Sequence, residues 1–150
     1  MIKNSLLFVV SIIASLLTMC GCYRKEINNN SNEKVSDQFI TNINVIINDK
    51  SYYAILEDNE TTRAFINMLP IKFNMNELNG NEKYFYMDNS LPTNSYNPKH
   101  IEKGDIMLFG DNCLVIFYKS FDTSYSYTKI GHIDNLDDLS NDNIIVKFEK

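Results

Sequence analysis

Apolar and polar positions divide the chain into three stretches. Leu6–Met19 is an uncharged run of fourteen residues, mostly Leu, Ile, Val and Phe, behind a positive start at Met1 and Lys3. Tyr23–Gln38 is polar, with isolated apolar residues and no period of 2 or 3.6. From about Phe39 short alternating runs begin. Ile43, Val45 and Ile47 alternate with polar neighbours, Asn48-Asp49-Lys50 supplies turn residues, and Tyr52–Leu56 resumes, which predicts a hairpin. Asp58 and Asn59 offer N-cap side chains to a stretch with Glu60 in its first turn. Ala64, Phe65, Met68 and Leu69 follow on one helical face and Pro70 stops it, so one helix is expected near residues 60–69, with Phe65 and Leu69 in the core.

Strand signals then return. Ile71, Phe73 and Met75 alternate, Tyr84–Met87 is a short apolar run, and Asn89–Lys99 reads as a loop. Ile106–Phe109 and Cys113–Tyr118 flank Gly110-Asp111-Asn112 and predict the most apolar hairpin of the chain. Tyr127–Ile133 and Ile144–Phe148 complete the set, the last with Ile144, Val146 and Phe148 on one face. About eight strands and one main helix over residues 41–150 imply a mostly β fold, a small closed barrel or a closed sandwich that leaves no open sheet edge.

Composition narrows the function classes. Nine Phe and nine Tyr in 150 residues exclude a fully disordered chain. A net charge of −5, with Arg24 and Arg63 the sole arginines, argues against general nucleic-acid binding, which needs a basic face against phosphates. Three cysteines, two of them at positions 20 and 22, make no disulfide framework.

The first stretch has the length of a signal-peptide core and falls short of the ~20 residues that cross a bilayer as a helix. It ends in Leu-Thr-Met-Cys-Gly-Cys, which resembles the lipobox of bacterial lipoproteins. Two registers compete, Cys20 behind Met19 and Cys22 behind Gly21. The small residue next to the scissile bond favours Cys22 as the lipidated residue. The expected organisation is a signal peptide over 1–21, a lipidated flexible tether over 22–40 and a barrel domain over 41–150. The expected location is the bacterial cell envelope, with the domain facing outside the cytoplasm. The membrane is then a partner through the lipid anchor, and two acyl chains at ~0.8 kcal/mol per buried CH₂ hold stably where one does not. An uncleaved membrane anchor is the alternative.

The order of pieces in the domain resembles the bacterial cyclophilin-like family. The matching segments are Asp58–Pro70, Gly104–Phe109, Asn112–Tyr118 and Lys129–Ile133. The resemblance implies a cyclophilin-like β-barrel with the helix at one end and a ligand groove, for which Phe85, Met107, Phe109 and Phe117 are the candidate residues. Cyclophilins are peptidyl-prolyl isomerases that use an arginine on a barrel strand, near a Phe-Met-x-Gln stretch, as donor to the proline amide. Here no arginine follows Arg63, and the corresponding region reads Glu82-Lys-Tyr-Phe-Tyr-Met-Asp88. The groove is expected to bind a peptide or small ligand without catalysis. The alternative is a divergent isomerase using Lys83, the one cation near the expected strand.

Other chemistry finds little support in the sequence. His100 and His132 lack metal-ligand spacing with Asp105 or Asp134, and neither a metal nor a cofactor is expected. Cys113 heads an apolar run and reads as a buried, inert thiol. The four aspartates of Asp134–Asp142 do not have EF-hand spacing and read as a solvated turn. Phe121, Tyr125 and Tyr127 are expected to pack on the barrel, a recognition surface being the alternative.

Overall fold

A computed structural model describes residues 39–139 and 142–150. The expected signal segment, Cys22 and the tether through residue 38 lie outside the described residues. Strand β1 (Asn42–Ile47) turns into β2 (Lys50–Leu56) through Asn48 and Asp49, whose φ values of 46° and 67° suit a two-residue hairpin turn. Helix α1 (Glu60–Asn67) follows. Asn59 caps it, its side-chain oxygen accepting the Thr62 N–H at 2.9 Å. The helix ends at Asn67 with Met68 as its C-cap, two residues short of the sequence expectation, because Leu69 already leads into Pro70.

Eight strands close the barrel. They are β1, β2, β3 (Ile71–Leu78), β4 (Glu82–Tyr86), β6 (Asp105–Phe109), β7 (Cys113–Phe117), β9 (Thr128–Ile133) and β10 (Ile144–Glu149). Around the barrel they run β1-β10-β3-β4-β7-β6-β9-β2, every pair antiparallel. At the β2–β9 seam Leu56 lies opposite Gly131. A Cβ on Gly131 would sit 2.4 Å from the Ile55 carbonyl oxygen, so the seam needs a residue without a side chain there. The short strands β5 (His100–Ile101) and β8 (Phe121–Asp122) pair with each other outside the barrel. The sequence pattern did not announce them, since two-residue strands are too short to show a period.

The core has two layers. Inside the barrel, inward residues of the alternating strands meet: Ile43, Val45 and Ile47 of β1, and Ile144, Val146 and Phe148 of β10, are buried, while Ile145 is 48% exposed. At one end Phe65 of α1 meets Phe148 edge-on at 5.3 Å, and Phe73 stacks on Phe85 at 4.4 Å. The second layer lies on the outer face of the barrel. It holds Ile101, Met107, Cys113, Val115, Phe117 and Tyr127. Its origin is the unbroken apolar runs of β6 and β7: a strand apolar on both faces must be covered on both. The β5/β8 sheet and the chain bridged at Tyr96 and Tyr127 supply part of that cover. Residues 37–150 form a compact unit by themselves, with the whole barrel, the helix and both core layers inside it.

Candidate functional site

Strand alternation decides which side chains reach the outer face. Strand β4 pairs with β7 without a bulge, Glu82 opposite Phe117, Tyr84 opposite Val115 and Tyr86 opposite Cys113. Val115, Phe117 and Cys113 belong to the outer layer, so Glu82, Tyr84 and Tyr86 face outward beside them. Strand β6 adds Phe109, opposite Cys113 on the same face. Tyr125 and Tyr127 arrive from the segment before β9. Together with the β3–β4 turn they border an open groove of about 310 Å³.

The groove is walled by rings. Phe109 meets Tyr125 edge-on at 6.0 Å and Tyr127 at 5.6 Å, while Tyr84 and Tyr86 meet edge-on at 5.8 Å on the opposite side. Tyr86, Phe109 and Tyr125 are 60%, 40% and 63% exposed, so much of their ring surface is available. Below them Phe117 is fully buried and packs edge-on against Tyr127 at 5.5 Å. Cys113 is a buried free thiol hydrogen-bonded with Tyr86, and burial outweighs that bond and pushes the thiol up to about 11. It is thus protonated and inert at neutral pH.

Glu82 is the one acid lining the groove, and no lining residue is a cation. Its side chain has no hydrogen bond or ion pair among the described residues. Burial, with the nearby charge of Glu77, raises its carboxyl from the ordinary 4.5 to about 7.

The four candidate residues do not form one surface. Phe109 is in the groove wall. Met107 and Phe117 share its outer face but lie in the buried layer beneath. Phe85 points the other way, into the barrel against Phe73, because it pairs opposite the inward Leu114. Lys83 shares that inner face. Fully buried opposite Ile116, its ammonium is ion-paired with Glu77 and donates to the Asp142 carbonyl at 2.7 Å. Glu77 also accepts the Tyr118 hydroxyl at 2.9 Å and the Gly80 N–H at 2.7 Å. Burial opposes ionisation of Glu77, but the bonds from Lys83, Tyr118 and Gly80 outweigh it and hold its pKa below the ordinary value. This polar cluster sits at the barrel end away from α1, so Lys83 does not reach the groove. Arg63 is remote as well, paired with Asp58 at 2.6 Å on the helix surface.

Among the described residues, other ionisable side chains form local pairs at or near the surface. His132 Nδ1 lies 3.1 Å from Asp105, and His100 Nδ1 lies 2.6 Å from Asp122, whose hydrogen bond raises the His100 pKa. Asp137 pairs with Lys50 and accepts the Tyr52 hydroxyl at 3.0 Å, and Asp138 pairs with Lys103. Among the aromatics outside the four candidates, Tyr127 packs on the barrel, Phe121 is half-buried, and Tyr125 stands in the groove rim. Sequence reasoning missed Glu82, Tyr84 and Tyr86 as groove residues. The available signal was the period of 2 counted back from Tyr86, which places all three on one face.

A closed antiparallel barrel of eight strands, a helix at one end and an aromatic groove on the outer face define a cyclophilin-like domain. The model of the Cyclophilin-like family matches residues 45–149, and the chain belongs to that family. No curated protein and no solved structure matches the chain.

Proposed function

We propose that this protein is a lipid-anchored envelope protein of bacteria whose cyclophilin-like domain, held outside the cytoplasm, binds a peptide or small ligand without isomerising it. The observation that carries the binding reading is the groove of about 310 Å³ between Tyr84, Tyr86, Phe109 and Tyr125, an exposed set of rings over a buried apolar floor. Concave sites walled by aromatic side chains with a few placed polar groups, here Glu82, Asn79 and the tyrosine hydroxyls, are the usual form of a ligand pocket. Non-catalysis is supported by what faces the groove. Twisting a prolyl peptide bond has to overcome a barrier of ~18–20 kcal/mol, which a fixed donor at the proline nitrogen lowers. The nearest strand cation, Lys83, is turned inward and paired with Glu77. The anchoring reading is supported by the apolar run Leu6–Met19 and the Gly21-Cys22 pair.

Two measurements test the reading. A coupled-protease isomerase assay on residues 37–150, with a true cyclophilin as control, is expected to show no rate above background. A clear rate would return the enzyme reading, and its loss in Tyr84→Ala, rather than in Lys83→Ala, would place it in the groove. For the anchor, Cys22→Ser is expected to abolish metabolic palmitate labelling. Labelling that survives in Cys22→Ser and disappears in Cys20→Ser would move the lipid to Cys20.

A further inference from the structure

We propose that the groove recognises a cation, the terminal ammonium of a lysine side chain on an extended peptide, which enters between Tyr84, Phe109 and Tyr125 to meet Glu82. This rests on the binding reading above and names the ligand class. Three observations carry it. Rings border the groove on both sides, and the faces of aromatic rings attract cations, most of all when several surround one site. The one charge available in the lining is the carboxylate of Glu82, which has no bonding partner among the described residues. The lining has no cation of its own to neutralise it. An apolar ligand would leave that carboxyl dehydrated and unpaired, whereas an ammonium satisfies it. The groove is open to solvent at the exposed rims of Tyr86 and Tyr125. A side chain can therefore insert while its peptide backbone runs on outside.

Glu82 also gives the binding a pH signature. Around it are Tyr84 and Tyr86 on its own strand, Cys113 from β7, and Tyr125 and Tyr127 from the segment before β9, with the Glu77–Lys83 pair nearby on the other face of β3 and β4. Glu77 is held below its ordinary value, and the Cys113 thiol and the Tyr86 and Tyr127 hydroxyls are raised above theirs. Of the groups with a shifted value, Glu82 at about 7 is the one that changes charge between pH 6 and 8. A cation binds its ionised form, so affinity falls on acidification. From pH 8 to pH 6 the fall is about threefold, since the ionised fraction drops from about nine-tenths to about one-tenth and the neutral carboxyl keeps about a fifth of the affinity.

The test is an amide-shift NMR titration of residues 37–150 with N-acetyl-lysine methylamide, its neutral isostere N-acetyl-norleucine methylamide, and n-butylammonium chloride. The lysine probe is expected to move the amides of Tyr84, Val115 and Tyr127, and to bind about threefold more weakly at pH 6 than at pH 8. Glu82→Gln should weaken it roughly fivefold at pH 8, the scale of one partly exposed ion pair, and remove the pH dependence. Tyr125→Ala, at an exposed rim position that does not endanger folding, should weaken it without changing the pH profile. Equal binding of norleucine and lysine probes, unaffected by Glu82→Gln, overturns the cation and leaves the groove standing. Butylammonium binding as tightly as the lysine amide overturns the peptide as its carrier. Failure of all three probes, and of proline-containing peptides, to move any groove amide removes both this inference and the binding reading beneath it.

Discussion

Replacing Lys83 by Met separates a structural lysine from a catalytic one. The side chain is fully buried, ion-paired with Glu77, and placed with its ammonium 5.1 Å from the centre of the Tyr118 ring. Methionine fills a similar volume, so little of the effect comes from a cavity. What remains is the Glu77 carboxylate, its side chain 17% exposed, with the Tyr118 hydroxyl and the Gly80 N–H but no cation. Breaking a buried pair by removing one member costs ~3–5 kcal/mol, and the residual exposure of Glu77 puts this case at about 3. For a domain of this size that lowers Tm by about 12 °C. The double variant Lys83→Met, Glu77→Gln removes both charges and keeps acceptors for Tyr118 and Gly80, so it should return to within about 1 kcal/mol of the parent.

The pH dependence sharpens the test. In the parent, Glu77 has a lowered pKa, so its contribution is present above the ordinary value of 4.5 and is lost as pH falls through the folded value. In Lys83→Met burial has less opposition, the folded pKa of Glu77 rises above the unfolded one, and stability grows as pH falls. The gap between parent and variant should therefore narrow from both sides between pH 7 and pH 4. Urea unfolding of residues 37–150, followed by circular dichroism at both pH values, measures it. A single variant within about 1 kcal/mol of the parent at pH 7, or a double variant as unstable as the single, would refute the reasoning.

Phe65, fully buried where α1 meets Phe148, should cost ~3–5 kcal/mol as Phe65→Ala. Arg63→Ala, which loses a half-exposed pair with Asp58 and a ring contact with Phe39 at 4.9 Å, should cost under ~1 kcal/mol in the same urea titration. Glu82 has a folded value of about 7 against 4.5, so its contribution is intact at low pH and declines as pH rises from 4.5 through 7. Glu82→Gln should accordingly be more stable than the parent by about 1 kcal/mol at pH 8, reduced from the full shift because the carboxyl is partly solvated, and equal to it at pH 4.5. A variant no more stable than the parent at pH 8 would mean that the charge is well hydrated.

Period and punctuation along the chain determined most of the barrel. Asn48 and Asp49 tolerate the positive φ that the first hairpin needs, Asn59 caps the helix and Pro70 ends it, and Ile144, Val146 and Phe148 alternate into the core as their spacing requires. These are local preferences, carried by a few neighbouring residues, and so they are readable in one dimension. The double-sided apolar character of β6 and β7 was equally plain, and it implied that something must cover the outer face. What covers it was not readable. The two-residue strands β5 and β8, and the bridge from Tyr96 to Tyr127, join positions about 20 to 30 apart and have no period of their own. The direction of a side chain across a strand is set by register, and register belongs to the pair of strands. Phe85 and Lys83 therefore went inward with Leu114 and Ile116, while Glu82, Tyr84 and Tyr86 went outward beside Phe117, Val115 and Cys113. The carboxyl value of about 7 at Glu82 comes from burial in that groove and from the charge of Glu77, and burial is set by the fold. Sequence determined which residues are apolar, which turn and which cap; the closing of the barrel decided which of them share the groove, because only closure gives each strand a neighbour on either side and hence one inner and one outer face.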